Sequence, residues 1–233
     1  MSKPDPNKQL EPIIELFRAE VGKVDESDSK GKLTKLFCER ILECADTVIL
    51  LKEKGRSGDA PVVARSAFEA AITLAYILNK PEELVTRFIA YAEYERYLMW
   101  KTLNEAGVEG PEEGIEGLKE RADAIATRFG FQPRQAGKWA EVGIRGMCKE
   151  LGREHEYTIY SSLSGPVHGS LHHLIKEDPA GKEERDIQMA MAATLMAIMR
   201  AVGSLDDSTG VDLKPYLRAV GKSPSGEDPK FDE

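Results

Sequence analysis

The chain has 233 residues, with 32 Lys+Arg against 40 Asp+Glu and a formal charge of -8. Hydrophobic residues make up 41% and charged residues 31%, enough apolar side chain to bury a core and too much for an intrinsically disordered chain. The acidic balance excludes broad, sequence-independent binding to nucleic acid or anionic membranes, which needs a dominant positive field, and leaves room only for a local basic pocket.

The hydrophobic period is helical almost throughout, and no run alternates strictly enough for a strand. A first helix is expected from about Lys8 to Val21, with Leu10, Ile13, Ile14 and Phe17 on one face. A polar link follows. A second helix is expected from Leu33 to Lys54, its buried stripe formed by Leu33, Phe37, Ile41, Ala45, Val48 and Leu51. Asp59 or a neighbour caps a third helix, and Pro61 fits its first turn, where a missing N–H costs nothing. This helix runs to about Asn79 and is apolar on most sides, as a central helix is. Its stretch Val62 to Leu78 is short for a bilayer span of about 20 residues. Pro81, Glu82 and Glu83 start a fourth, aromatic-rich helix that reaches Asn104.

A Gly- and Glu-rich connector then leads to a shorter helix, Leu118 to Arg128, a loop, and a modest helix from Lys138 to Leu151. Glu154 to Leu174 is helical in pattern but interrupted at Gly165-Pro166, where proline removes a backbone bond. KEDPAGKEE reads as an exposed turn, and a last strong helix is expected from Glu184 to Leu205. The polar remainder, residues 206–233, is expected to be partly disordered, with one short docked helix near Leu213 to Val220. The expected architecture is all-α: an N-terminal helix and polar link over 1–30, a single-domain multi-helix bundle over 31–205, then the tail. The long helix hairpin from Pro61 to Asn104 stands at its centre.

Cys38, Cys44 and Cys148 form no CxxC pair and are odd in number, which argues against a disulfide framework or a zinc knuckle. The first residues are polar, with no apolar signal-like stretch. Both features lead to the expectation of a cytoplasmic protein with no membrane partner.

Three segments carry the candidate chemistry. On the third helix Arg65 and Glu69 are four apart and share a face with Ile72 and Tyr76. Either they form an ordinary intrahelical ion pair, or Glu69 holds Arg65 toward an anion. On the fourth helix Arg87, Tyr91, Tyr94 and Leu98 share a face; the tyrosines are core packing or, with Arg87, part of a polar pocket joined to Arg65. On the late segment Tyr157, Ser161, Ser164 and His168 follow 3- or 4-residue spacing. If the helix restarts after Gly165-Pro166, His168 lies near its first turn, where the dipole disfavours imidazolium and a neutral imidazole can act as a base. The alternative is a histidine satisfied by a neighbouring helix. His168 and His172 have a spacing that can share a metal, but no Glu lies three residues before any histidine, as in di-iron bundles. No metal or cofactor is expected. Phosphate-loop, dinucleotide, HExxH and GxSxG signatures are missing. Serine hydroxyls at this helical spacing usually bond back to the backbone.

The pieces RSAFEAAITLAYI, RFIAYAEYERY and YSSLSGPVHGS resemble a bacterial family known only as a domain of unknown function. Its pattern is an Arg-x-x-Phe-Glu helix, an Arg-Phe helix and a late Ser-x-x-x-His-Gly segment. Here the matching residues are Arg65, Phe68, Glu69, Arg87, Phe88, Tyr160, Ser164, His168 and Gly169. Such proteins are in turn similar to the HEPN superfamily of helical bundles, which often dimerise and include metal-independent ribonucleases. The resemblance implies a HEPN-like domain with an RNA or nucleotide ligand in a local pocket. In the ribonuclease form His168 is the base, Arg65 and Glu69 complete the catalytic set, and Arg87, Tyr91, Tyr160 and Ser164 bind. The HEPN signature places an Arg four to six residues before its His, and no histidine here has one. The cation must therefore come from another helix. The alternative is a non-catalytic interaction or regulatory protein. A homodimer is expected from the last helix, whose stripe Ile187, Met191, Leu195, Ile198 and Val202 is extended by Met189, Met196 and Met199.

Overall fold

A computed structural model of the chain describes residues 6–110, 114–131, 139–140, 142–164, 179–209, 211–212 and 214–219. Among these residues the structure is helical, with no strand. The helices are α1 (Pro6–Val21), α2 (Ser29–Glu53), α3 (Ala60–Leu78), α4 (Glu82–Glu105), α5 (Gly114–Phe129), α6 (Ile144–Glu150), α7 (Glu156–Ser162), α8 (Pro179–Thr209) and α9 (Lys214–Ala219).

They fall into two compact units: Met1–Leu78 with Met147–Glu233, and Asn79–Gly146. The helix hairpin expected at the centre is divided between them, α3 in the first unit and α4 in the second. In the first unit α3 packs between α2 and α8, and α1 lies against α2, α8 and α9. Alanine explains the closeness. Ala60, Ala64, Ala67 and Ala71 on α3, and Ala190, Ala193, Ala197 and Ala201 on α8, are essentially sealed. Small side chains at this period let helix backbones approach and interlock their ridges. Phe68, Ile72 and Leu74 fill the space around them. Thr194 is buried without penalty because its hydroxyl donates to the Ala190 carbonyl at 2.8 Å.

Local signals fix several helix ends. The Asp28 carboxylate accepts from the Gly31 N–H at 2.6 Å, so α2 begins earlier than its apolar stripe suggests. Gly31 has to be glycine, since a Cβ there would meet the Asp25 carbonyl oxygen at 1.9 Å. A 3-10 turn, Ser57–Asp59, leads straight into α3, and Asp59 pairs with Arg56 at 2.5 Å.

The exposed turn expected around Pro179 is instead the first turn of α8, which runs 31 residues. Proline needs no hydrogen-bond donor at that position, and the Lys182–Asp186 pair at 3.4 Å supports the turn that follows. The tail also contributes to the core. Tyr216 on α9 is 1% exposed, and burial together with Glu20 and Cys38 pushes its phenol well above the usual range. By length and composition alone, the segments Ser57–Leu78 and Gly181–Leu205 are long and apolar enough to cross a membrane, contrary to the estimate from Val62 to Leu78. Both are largely buried inside the fold, and core helices pass the same test.

The second unit is built on α4 packed against α5. Val85, Tyr91 and Tyr94 are buried on α4, Leu118 and Ala122 on α5. Phe131 stands edge-on to Tyr91, with ring centroids 5.1 Å apart, and Phe88 edge-on to Trp139 at 4.7 Å.

Candidate functional site

Arg65 and Glu69 project from one face of α3, one turn apart, as their spacing dictates. They are joined through a third residue. The Arg65 Nη2 donates to the Tyr160 hydroxyl at 2.5 Å, and that hydroxyl donates to Glu69 Oε2 at 3.3 Å. The guanidinium also lies over the Tyr160 ring, 4.6 Å from its centroid. Tyr160 is therefore a bridge between cation and carboxylate, and no direct Arg65–Glu69 ion pair forms among the described residues. Burial pushes the Tyr160 phenol up, partly opposed by the Arg65 hydrogen bond. It stays protonated at neutral pH, which lets it donate to Glu69 while accepting from Arg65. Arg65 Nε is buried and has no hydrogen-bond partner among the described residues.

The backbone before Tyr160 is set by Gly152. Its φ of +70 is a left-handed conformation that glycine adopts without strain. It closes α6 with the Arg153 N–H on the Cys148 carbonyl at 2.8 Å. The chain then turns into α7, whose face carries Glu156 and Tyr160 four residues apart. Glu156 is 3% exposed. It accepts from Arg200 of α8 and lies 3.5 Å from Arg153. Burial pushes its carboxyl up, and the nearby charges of Arg153 and His155 pull the other way. Arg200 Nε, like Arg65 Nε, is buried and unpartnered among the described residues. The same neighbourhood includes the buried Cys148 thiol, pushed up to about 11 by burial and then by Glu156.

The other sequence candidates distribute as follows. The Ser164 hydroxyl donates to the Tyr160 carbonyl at 2.8 Å, a back-bond of the expected kind. Arg87 and Tyr91 belong to the second unit. There the Arg87 Nε donates to the Trp139 carbonyl at 2.7 Å, its guanidinium lies 5.1 Å from the Phe131 centroid, and Tyr91 is buried in the aromatic cluster. His168, His172 and Gly169 lie outside the described residues. Among the described residues, no group of three or more His, Cys, Asp and Glu side chains is arranged to hold a metal.

Sequence reasoning missed Glu156 and Arg200. The available signal was a lone arginine within an otherwise apolar stretch of the last helix, where an unpaired charge is costly. Arg65, Tyr160 and Glu69 supply an oriented cation joined through a hydroxyl to a carboxylate. On their own they can bind an anion; cleaving one needs a further base.

Comparison with the curated proteins and with the solved structures gives no match. A family model does match, described as a family of unknown function (DUF5677), over residues 32–183. That stretch is more than half the chain and includes Arg65, Glu69, Arg87, Tyr160, Ser164 and His168, so the chain belongs to the DUF5677 family.

Proposed function

We propose that this chain is a HEPN-like domain that binds an RNA or nucleotide phosphate at Arg65. The observation that carries the reading is the Arg65 guanidinium, pinned at Nη2 by Tyr160 and over its ring while Nε has no partner among the described residues. A guanidinium fork held in one orientation suits a phosphate, which accepts paired N–H donors. In its ribonuclease form the domain works without a metal. His168 takes the proton of a ribose 2′-hydroxyl, whose oxygen then bonds to phosphorus as the bond to the 5′-oxygen breaks, and the 5′-oxygen leaves as a hydroxyl with a proton from water. Arg65 neutralises the charge gathering on the phosphate. Arg87 and Tyr91 serve the packing of their own unit.

The domain works in the bacterial cytoplasm as a homodimer. Met196 of α8 is 37% exposed, and Met189, Leu195 and Met199 are only partly covered, which leaves apolar surface for a second copy. A second reading, a non-catalytic interaction or regulatory domain, draws on the charge balance: Glu69 offsets Arg65 through Tyr160, and the whole chain is acidic.

The test is binding and cleavage of a labelled single-stranded RNA by the full chain, with Arg65→Gln and His168→Ala alongside. Arg65→Gln should weaken binding at least tenfold. His168→Ala should keep binding and remove cleavage, and chelator should leave cleavage unchanged. Binding without cleavage in the parent protein selects the non-catalytic reading, and activity restored by a divalent metal refutes the metal-free mechanism. Light scattering that gives 25.8 kDa, the mass of one chain, ends the dimer.

A further inference from the structure

We infer that α4 pairs with α4 of a second copy of this chain in an antiparallel helix pair, keyed at its centre by Glu93 and Arg96. The inference is independent of what Arg65 binds, and α4 belongs to a different unit from the apolar surface of α8.

The second unit leaves one side of α4 open. Tyr91 and Tyr94 are buried, and α5 is the helix packed on α4. At 3.6 residues per turn the side away from those tyrosines carries Thr86, Ile89, Glu93, Arg96, Trp100 and Leu103. They alternate by three and four residues, the spacing of a coiled-coil seam. Val85, just before this run, is sealed. Beyond it Ile89 is 37% exposed, and Met99 on the flank of the seam is 52% exposed. Trp100 and Leu103 are only partly covered. Glu93 and Arg96 stand one turn apart at 3.9 Å, and each keeps nearly half of its side chain in solvent.

This seam complements itself. In an antiparallel pair about a two-fold axis between Tyr94 and Glu95, Ile89 meets Trp100 of the second copy, Thr86 meets Leu103, and Glu93 meets Arg96. Symmetry makes each contact twice. The flanks agree, with Ala92 opposite Met99 and Ala90 opposite Tyr97, small against large. A parallel pair sets Glu93 on Glu93 and Arg96 on Arg96. A shift of one heptad in either direction sets Glu93 against Ile89 or Leu103. Opposite charges at the centre therefore favour one direction and one register, and penalise the rest. From Thr86 to Leu103 the helix is ~27 Å long, and one helix pair of that length is a small interface, so association depends on concentration.

Sedimentation of the full chain at tens of micromolar tests the pairing. Met196→Glu places a charge on the α8 surface, and this variant should still dimerise through α4. In that background Arg96→Glu lines the centre with carboxylates alone, and Glu93→Arg lines it with guanidinium groups alone. Each should keep its helical circular dichroism and weaken self-association at least tenfold. An equimolar mixture of the two should dimerise again, because each copy then offers the charges the other lacks. Mixing cures a mismatch of charge and does not cure a packing defect. Dimers that survive Arg96→Glu, or a mixture that stays monomeric, overturn the α4 pairing. So does a monomeric Met196→Glu beside a dimeric parent, which leaves the α8 contact standing. A parent protein that is monomeric at these concentrations overturns both contacts.

Discussion

In each unit of the chain an arginine lies over an aromatic ring, Arg65 over Tyr160 at 4.6 Å and Arg87 over Phe131 at 5.1 Å. The surroundings separate them. Arg87 turns its Nε to the backbone carbonyl of Trp139, and the rings of Phe88, Tyr91 and Trp139 close the cluster. That bond fastens a loop residue to α4, which is a structural use of a cation. Arg65 meets a ring that also carries a hydroxyl, and through it a carboxylate, while its own Nε is left without an acceptor among the described residues. The lesson is that an arginine on an aromatic stripe is assigned by where its remaining donors go, which side-chain type and spacing do not reveal.

The comparison breaks most visibly in the first unit's buried pair. Arg200→Leu removes the main partner of a carboxylate that is 3% exposed and should cost about 3–5 kcal/mol at neutral pH, read from urea unfolding. Burial already raises the Glu156 carboxyl in the parent fold. The folded state then holds more protons than the unfolded one between the two pKa values, so this group's contribution falls as pH rises through that window. Without Arg200 the carboxyl rises further, so the deficit of Arg200→Leu should shrink as pH falls from neutral toward 5. A deficit that stays constant over this range would mean that Glu156 remains charged without Arg200.

Arg87→Met keeps the aliphatic stem and loses the donors. It should destabilise the chain by about 1.5–3 kcal/mol, the usual value of a hydrogen bond from a charged group, and leave RNA affinity within twofold. Arg65→Gln should do the reverse, losing at least tenfold in affinity at smaller cost to stability. Should Arg87→Met weaken RNA binding tenfold, the division between a structural and a binding arginine fails.

Much of the helical framework was legible in the sequence because α2, α3 and α4 have apolar periods longer than any competing pattern. The faces were readable too: Leu10, Ile13, Ile14 and Phe17 are buried on α1 as their spacing requires. The start of α8 was hidden because Asp178-Pro179-Ala180-Gly181 carries turn residues, and only a following ion pair tells a helix start from a turn. The partition of α3 and α4 into separate units depends on long-range packing, to which periodicity is blind. Within the site, Arg65 and Glu69 stand out as a charged pair on a helix that is otherwise apolar, while Tyr160 came only from the family resemblance, since spacing pointed to Tyr157, Ser161, Ser164 and His168 on its segment. Glu156 was passed over because a carboxylate near a helix start reads as solvated, complementing the dipole. Its burial depends on Arg200, 44 residues away.

The finest distinction is between the ring of Tyr160 and its hydroxyl. Tyr160→Phe leaves a face for Arg65 to rest on and removes the atom that accepts from Arg65 and donates to Glu69. A hydroxyl bonded to charged groups contributes about 1.5–3 kcal/mol, and Glu69 is exposed enough to return to water. The stability loss should therefore fall at the low end of that range, about 1.5 kcal/mol by thermal or urea unfolding. Binding should respond differently. A guanidinium released from its anchor samples more rotamers and must be reordered by the ligand, which lowers affinity without removing a contact to it. Phosphate or RNA affinity should fall severalfold, less than for Arg65→Gln, and adding Glu69→Gln to Tyr160→Phe should change it little further. If Tyr160→Phe binds as tightly as the parent, the ring alone orients Arg65 and the hydroxyl bridge has no part in recognition. If it loses as much as Arg65→Gln, the hydroxyl itself contacts the ligand, and Tyr160 moves from positioning the cation to binding the phosphate.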